Sequence, residues 1–180
     1  MTSDQTTVVD PLDITISPTF CKVAGYYQDA ERYTSGLDAL RTLTNEDESP
    51  ELWKRLGWFA AKYADLAGVG RSEGLKLIAI ERARQIAKFG DQTARPDQDW
   101  FEILMEEVGE ASREKCELMD WNRKVNKTLQ GLGGDTRDEA EATLARRRDQ
   151  HMADFKKECL EVSAVAFAWA DAILRRAGRR

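Results

Sequence analysis

Residues 154–176, Asp-Phe-Lys-Lys-Glu-Cys-Leu-Glu-Val-Ser-Ala-Val-Ala-Phe-Ala-Trp-Ala-Asp-Ala-Ile-Leu-Arg-Arg, decide the fold class. Phe155, Cys159, Val162, Ala166, Trp169 and Ile173 recur at i, i+3, i+4 spacing, the period of one buried helix face. No glycine or proline interrupts the run, and alanine dominates its second half. The spacing predicts a final helix over about Asp154–Arg176, long and apolar enough on one side to need several neighbours.

The same period appears upstream. Leu104, Val108 and Ala111 mark a helix from an Asp99-Trp-Phe-Glu102 capping pattern to about Trp121. Leu75, Ala79, Ile86 and Phe89 mark another over about Ser72–Phe89, closed by Gly90, with a polar loop over Asp91–Gln98. Ser49-Pro50-Glu51 reads as a helix start, Leu52, Leu56, Phe59 and Tyr63 as its buried face, and Gly68-Val-Gly70 as its stop after Leu66. Thr136-Arg-Asp-Glu139 opens a charged helical stretch through Arg148, separated from the preceding helix by a glycine hinge at 131–134. Residues 26–44 suit a weaker helix, ahead of a polar break at 45–49. Residues 1–25 read as an arm with a short strand-like stretch over 13–17, interrupted by Pro18.

These patterns predict an all-α fold: a helical bundle over residues 71–180 with an N-terminal extension over 1–70. Among 180 residues, 12 glycines and 4 prolines are too few for a loop-rich β fold. A net charge of -5 argues against a protein that coats DNA. Arg175, Arg176, Arg179 and Arg180 read as a solvated end that complements a helix dipole, with an acidic partner as the competing use. Cys21, Cys116 and Cys159 have neither disulfide nor zinc spacing, and Cys116 and Cys159 are expected as buried thiols. His151 alone excludes a multi-histidine metal site and is expected on the surface. With no signal-like start and no membrane-length apolar run, a cytoplasmic location is expected.

The chemistry concentrates in Glu106-Glu107-Val-Gly-Glu110 and Glu158-Cys-Leu-Glu161. On a helix, residues three apart are neighbours, so Glu107 faces Glu110, and Glu158 faces Glu161. Like charges so placed cost a few tenths of a kcal/mol per pair. Each pair borders an apolar stripe, and antiparallel packing of the two helices would bring four carboxylates together. Such a set suits Mg2+, a hard cation that takes oxygen ligands and keeps water or phosphate in its shell. A solvated acidic face is the competing reading.

The order of motifs resembles the MazG-like all-α NTP pyrophosphatase superfamily, whose signature is EExxE followed by ExxD on a later helix. Glu81-Arg82-Ala-Arg84-Gln85-Ile-Ala-Lys88-Phe-Gly90-Asp-Gln92 precedes Trp100-Phe-Glu-Ile-Leu104 and the first acidic motif. Glu158-Cys-Leu-Glu161-Val then closes the pattern. Glu161 stands where the family usually has Asp, and residues 111–157 exceed the usual spacing, a length shared with the related dimeric dUTPases. The resemblance covers about residues 75–175.

It implies hydrolysis of a (d)NTP to a (d)NMP and pyrophosphate. Mg2+, or Mn2+ in its place, would be held by Glu107, Glu110, Glu158 and Glu161. Glu106 would orient or deprotonate the attacking water, with direct metal contact equally open. Arg82, Gln85 and Lys88 are candidates for gripping phosphate, against a bland reading as exposed helix formers, and Lys124 is a weaker candidate. Asn122 suits a base or ribose edge, or a helix cap. Trp100 and Trp169 suit base stacking, although aromatics at helical spacing more often pack in a core. A homodimer or homotetramer is expected. A guanosine alarmone, a modified deoxynucleotide, or an inactive helical binding module are the alternative readings.

Overall fold

The structure, a computed structural model, describes residues 18–28, 52–130 and 135–178. Among them are five helices and no strand: α1 (Pro18–Gln28), α2 (Leu52–Leu66), α3 (Arg71–Phe89), α4 (Asp97–Gln130) and α5 (Asp135–Ala177). The all-α expectation holds. The strand-like stretch at 13–17, the polar break at 45–49, the Ser49-Pro50 start, the hinge at 131–134 and Arg179-Arg180 lie outside the described residues, as does most of the helix expected over 26–44.

The C-terminal half of α5 is the axis of the core. Cys159, Val162, Ala164, Ala166 and Ala170 are fully buried, and Phe167 is 1% exposed. Small residues on several faces let α1, α2, α3 and α4 all pack on this one helix. Such a helix, apolar nearly all round, belongs in the middle of a bundle. α2 contributes Leu56, Phe59, Ala60 and Ala64, all without exposed surface. The Ser163 hydroxyl lies between the carbonyls of Ala60 and Cys159, 2.9 Å from each. Phe20 of α1 packs on Phe167 with ring centroids 4.6 Å apart.

Four boundaries differ from expectation. α5 is one helix from Asp135, where a separate charged stretch ending at Arg148 was expected, because residues 149–153 contain no breaker. α4 runs to Gln130, nine residues beyond Trp121; half-buried Trp121, Val125 and Leu129 continue its inner face. α4 also begins at Asp97, so Glu102 accepts a hydrogen bond from Gln98 and does not serve the expected cap. Pro18, expected to break an extended arm, opens α1, where its fixed φ and missing N–H are tolerated. The stops hold: Gly68 and Gly90 take φ of 72° and 74°, which L side chains rarely adopt.

The inner face of α3 is also displaced. Gly74, Ile78, Ala79, Arg82 and Gln85 are buried, whereas Phe89, expected on the apolar face, is 56% exposed. Cys159 is buried as expected, but Cys116 is exposed, because it lies off the Leu104–Val108–Ala111–Leu118 stripe. Arg175 and Arg176 are tied into the chain: Arg175 pairs with Asp171, and Arg176 donates to Asp97 and to the Arg95 carbonyl. No helix among the described residues is long and apolar enough to cross a membrane.

Candidate metal centre and cleft

α4 and α5 run antiparallel. Glu107 meets Glu158 near the middle, Trp121 meets Leu144 toward one end, and Asp97 meets Trp169 at the other. α3 and α4 both pack on α5 but scarcely touch each other. The gap between them is a cleft of about 740 Å³, open to solvent and floored by Leu160 and Glu161 of α5.

At its α4 edge, one carboxylate oxygen from each of Glu107, Glu110 and Glu158 lies within 4.8 Å of the others. All three residues are half-buried. Burial, then the charges of Glu161, Glu110, Glu158 and Glu106, push the Glu107 carboxyl up to about 7. Glu158 Oε2 is buried with no hydrogen-bond partner. An acceptor left dry in this way is costly unless something positive reaches it. An all-oxygen, three-carboxylate set with one orphaned oxygen fits a hard divalent cation.

Glu161, the fourth expected ligand, adjoins this trio but is committed elsewhere. Lys157 Nζ bridges it and Glu158, at 3.2 and 2.9 Å, and Arg84 Nη2 reaches it at 3.4 Å. Burial raises the Glu161 pKa, and Lys157 opposes that rise. Arg84 is held in turn by two hydrogen bonds to Glu81 of 2.6 and 2.7 Å. Gln85 donates to Glu81 at 3.1 Å and accepts from the buried Arg82 at 2.7 Å. A continuous polar chain therefore runs from the buried Arg82 to the carboxylate cluster.

The other expected site residues fall into three groups. Gln85 and Lys88 line the cleft, and Glu106 lies beside it on a smaller cavity of about 270 Å³ that also touches Gln85, Glu107 and Trp100. Arg82 is 7% exposed, and burial lowers its pKa to about 10; it supports Gln85 and does not line the cleft. Trp100 and Trp169 are 2% and 4% exposed core residues, and the Trp169 indole donates to Asp97. Asn122 and Lys124 follow Glu110 by 12 and 14 residues on the same helix, which places them about 18–21 Å along its axis. The fold does not bring them to the cluster within one chain.

Arg84 and Lys157, the cations nearest the carboxylates, were not singled out from sequence. Lys157 precedes Glu158 and sits one turn before Glu161, and Arg84 sits one turn after Glu81. In a helix so rich in charge, that spacing looks like ordinary surface pairing.

No family model matches this chain, and neither a curated protein nor a solved structure does.

Proposed function

We propose that the chain is a Mg2+-dependent nucleoside triphosphate pyrophosphohydrolase. The observation that carries this reading is the convergence of Glu107, Glu110 and Glu158 within 4.8 Å at the edge of a cleft lined by Arg84, Lys88 and Lys157. Anionic donors for a cation, beside cations for an anion, are the complementary halves of a metal–polyphosphate site. The resemblance of the ordered motifs to the MazG-like all-α NTP pyrophosphatases supports the reading from the sequence side.

In this reading Glu107, Glu110 and Glu158 hold the metal, and Glu161 joins them once its cations turn to substrate. The metal supplies charge neutralisation at phosphate and lowers the pKa of bound water. Lys157 and Arg84 exchange carboxylate partners for phosphate oxygens, so they offset part of the site's negative charge before substrate arrives. Lys88, at the cleft rim, adds a third cation. Glu106 is exposed and adjacent in sequence to Glu107, free to accept a proton from the attacking water. Gln85, fixed between Arg82 and Glu81, keeps Arg84 in register.

The chain would act as a homodimer or larger homo-oligomer. Ile80, 59% exposed, and Phe89 present apolar surface on the open side of the cleft, where a second copy would enclose the substrate.

The test is pyrophosphate release from a panel of NTPs, dNTPs and guanosine alarmones, with Mg2+ and with EDTA. Mg2+-dependent release of pyrophosphate and a nucleoside monophosphate is expected. No turnover of any nucleotide, together with no rise in melting temperature on adding Mg2+, would overturn the assignment.

A further inference from the structure

Beyond the cleft, the same helix pair builds a second donor cluster of different chemistry. A carboxylate oxygen from each of Glu114 and Glu117 of α4 and a ring nitrogen of His151 of α5 lie within 4.8 Å of one another. The cluster lies one helical turn beyond Glu110 on α4 and two turns before Glu158 on α5, roughly 6–10 Å from the first along the helix axes. We propose that Glu114, Glu117 and His151 form a site for a transition-metal ion of the zinc class, distinct from the hard-cation site in the cleft.

Three observations support it. Neither carboxylate has an ion pair or hydrogen bond among the described residues, unlike Glu110, Glu158 and Glu161, which are paired with Arg113, Lys157 or Arg84. His151 is half-buried, not on the open surface as expected, and packs on Trp121 with ring centroids 5.8 Å apart. The Trp121 indole is anchored by its hydrogen bond to the Leu144 carbonyl, so the imidazole rests on a fixed neighbour. Arg147 lies over the same indole, 5.6 Å from its centroid, and pairs with neither carboxylate.

The donor set selects the ion. Imidazole nitrogen suits zinc, cobalt and nickel, whereas Mg2+ favours oxygen alone. Bonds of about 2.0–2.2 Å at tetrahedral angles put donors about 3.4 Å apart, within a rotamer adjustment of the arrangement here. Three protein ligands leave one position for water. Because the ligands come from two antiparallel helices, the bound ion would clamp the distal half of the α4–α5 hairpin.

Calorimetric titration of the full chain with Zn2+, in saturating Mg2+, tests this without reference to any hydrolase activity. One equivalent per chain, bound in the micromolar range, is expected. His151→Gln and Glu117→Gln should each weaken binding at least about tenfold. Glu107→Gln should leave it intact, and Cys116→Ser, which removes the exposed thiol beside Glu117, should also retain it. Circular dichroism confirms that each variant is folded; Glu117, exposed and without an ion pair among the described residues, is the substitution least able to disturb the fold. No binding by the wild type overturns the proposal, as does unchanged affinity in both ligand variants or loss of binding in Glu107→Gln or Cys116→Ser.

Discussion

Glu107 lies among other carboxylates, and its raised pKa links the site to pH. In the unfolded chain its proton leaves near the ordinary 4.5, while in the folded chain it leaves near about 7. Between these values the folded state binds the proton more tightly, so its stability advantage is complete below 4.5 and is lost as pH rises through about 7. Glu107→Gln abolishes this titration. In EDTA, the variant should melt near the wild type at about pH 4 and increasingly above it up to about pH 8, which differential scanning fluorimetry can follow. A constant gap across that range would mean that neither burial nor the neighbouring carboxylates hold the Glu107 proton as described. Protons and metal compete for the same oxygens, so the Mg2+-induced rise in melting temperature should grow over the same interval. For chemistry, Glu106→Gln should lower kcat by about 100-fold or more if it takes the proton, while leaving the Mg2+-induced shift unchanged. A lost shift would make Glu106 a ligand instead. The carboxylates were legible because helical periodicity fixes neighbours three apart. Arg84 and Lys157 were not, because only the rotation of α3 and α5 about their axes aims them into the cleft.

At the scale of elements, α5 holds both the core and the site, and the two are separated along its length. Its C-terminal half is nearly apolar all round, and its N-terminal half carries most of its charge. Ser163 ties the central turn to α2. Ser163→Ala should cost about 1 kcal/mol in chemical denaturation, the net worth of an ordinary buried hydrogen bond, since the helix carbonyls keep their amide partners. Phe167→Ala should cost about 3–5 kcal/mol, because a ring removed from between α1 and α5 leaves a cavity. If Phe167→Ala proved as mild as Ser163→Ala, α1 would not be packed on α5 in solution. The apolar stripe made the existence of this helix plain from sequence. Its true start at Asp135 was not, since hydrophobic period vanishes where a helix leaves the core, although no glycine or proline ends it. Pro18 misled in the opposite direction: a residue that breaks a strand also begins a helix.

Over the whole molecule, the balance of charge and apolar surface bears on assembly. The chain is acidic by five charges, yet its cleft gathers Arg84, Lys88 and Lys157 among its carboxylates. Binding a polyphosphate there brings negative charge into an already acidic protein, so affinity must come from the local cations and the metal, and should weaken with added salt. Lys157→Met removes the cation that bridges Glu158 and Glu161. It should raise KM for nucleotide and, by baring both carboxylates, strengthen Mg2+ binding measured without nucleotide. The opposite sign for Mg2+ would make Lys157 a structural prop. Enclosure is the remaining requirement. A cleft bounded by α3, α4 and α5 of one chain stays open to water, and Ile80 stands exposed at its mouth. Ile80→Glu adds a charge where the second copy is proposed to sit. Light scattering should then show a monomer where the wild type is a dimer or tetramer, with turnover falling in parallel while the Mg2+-induced stabilisation of the isolated chain persists. A monomeric wild type with full activity would instead confine the whole site to these three helices.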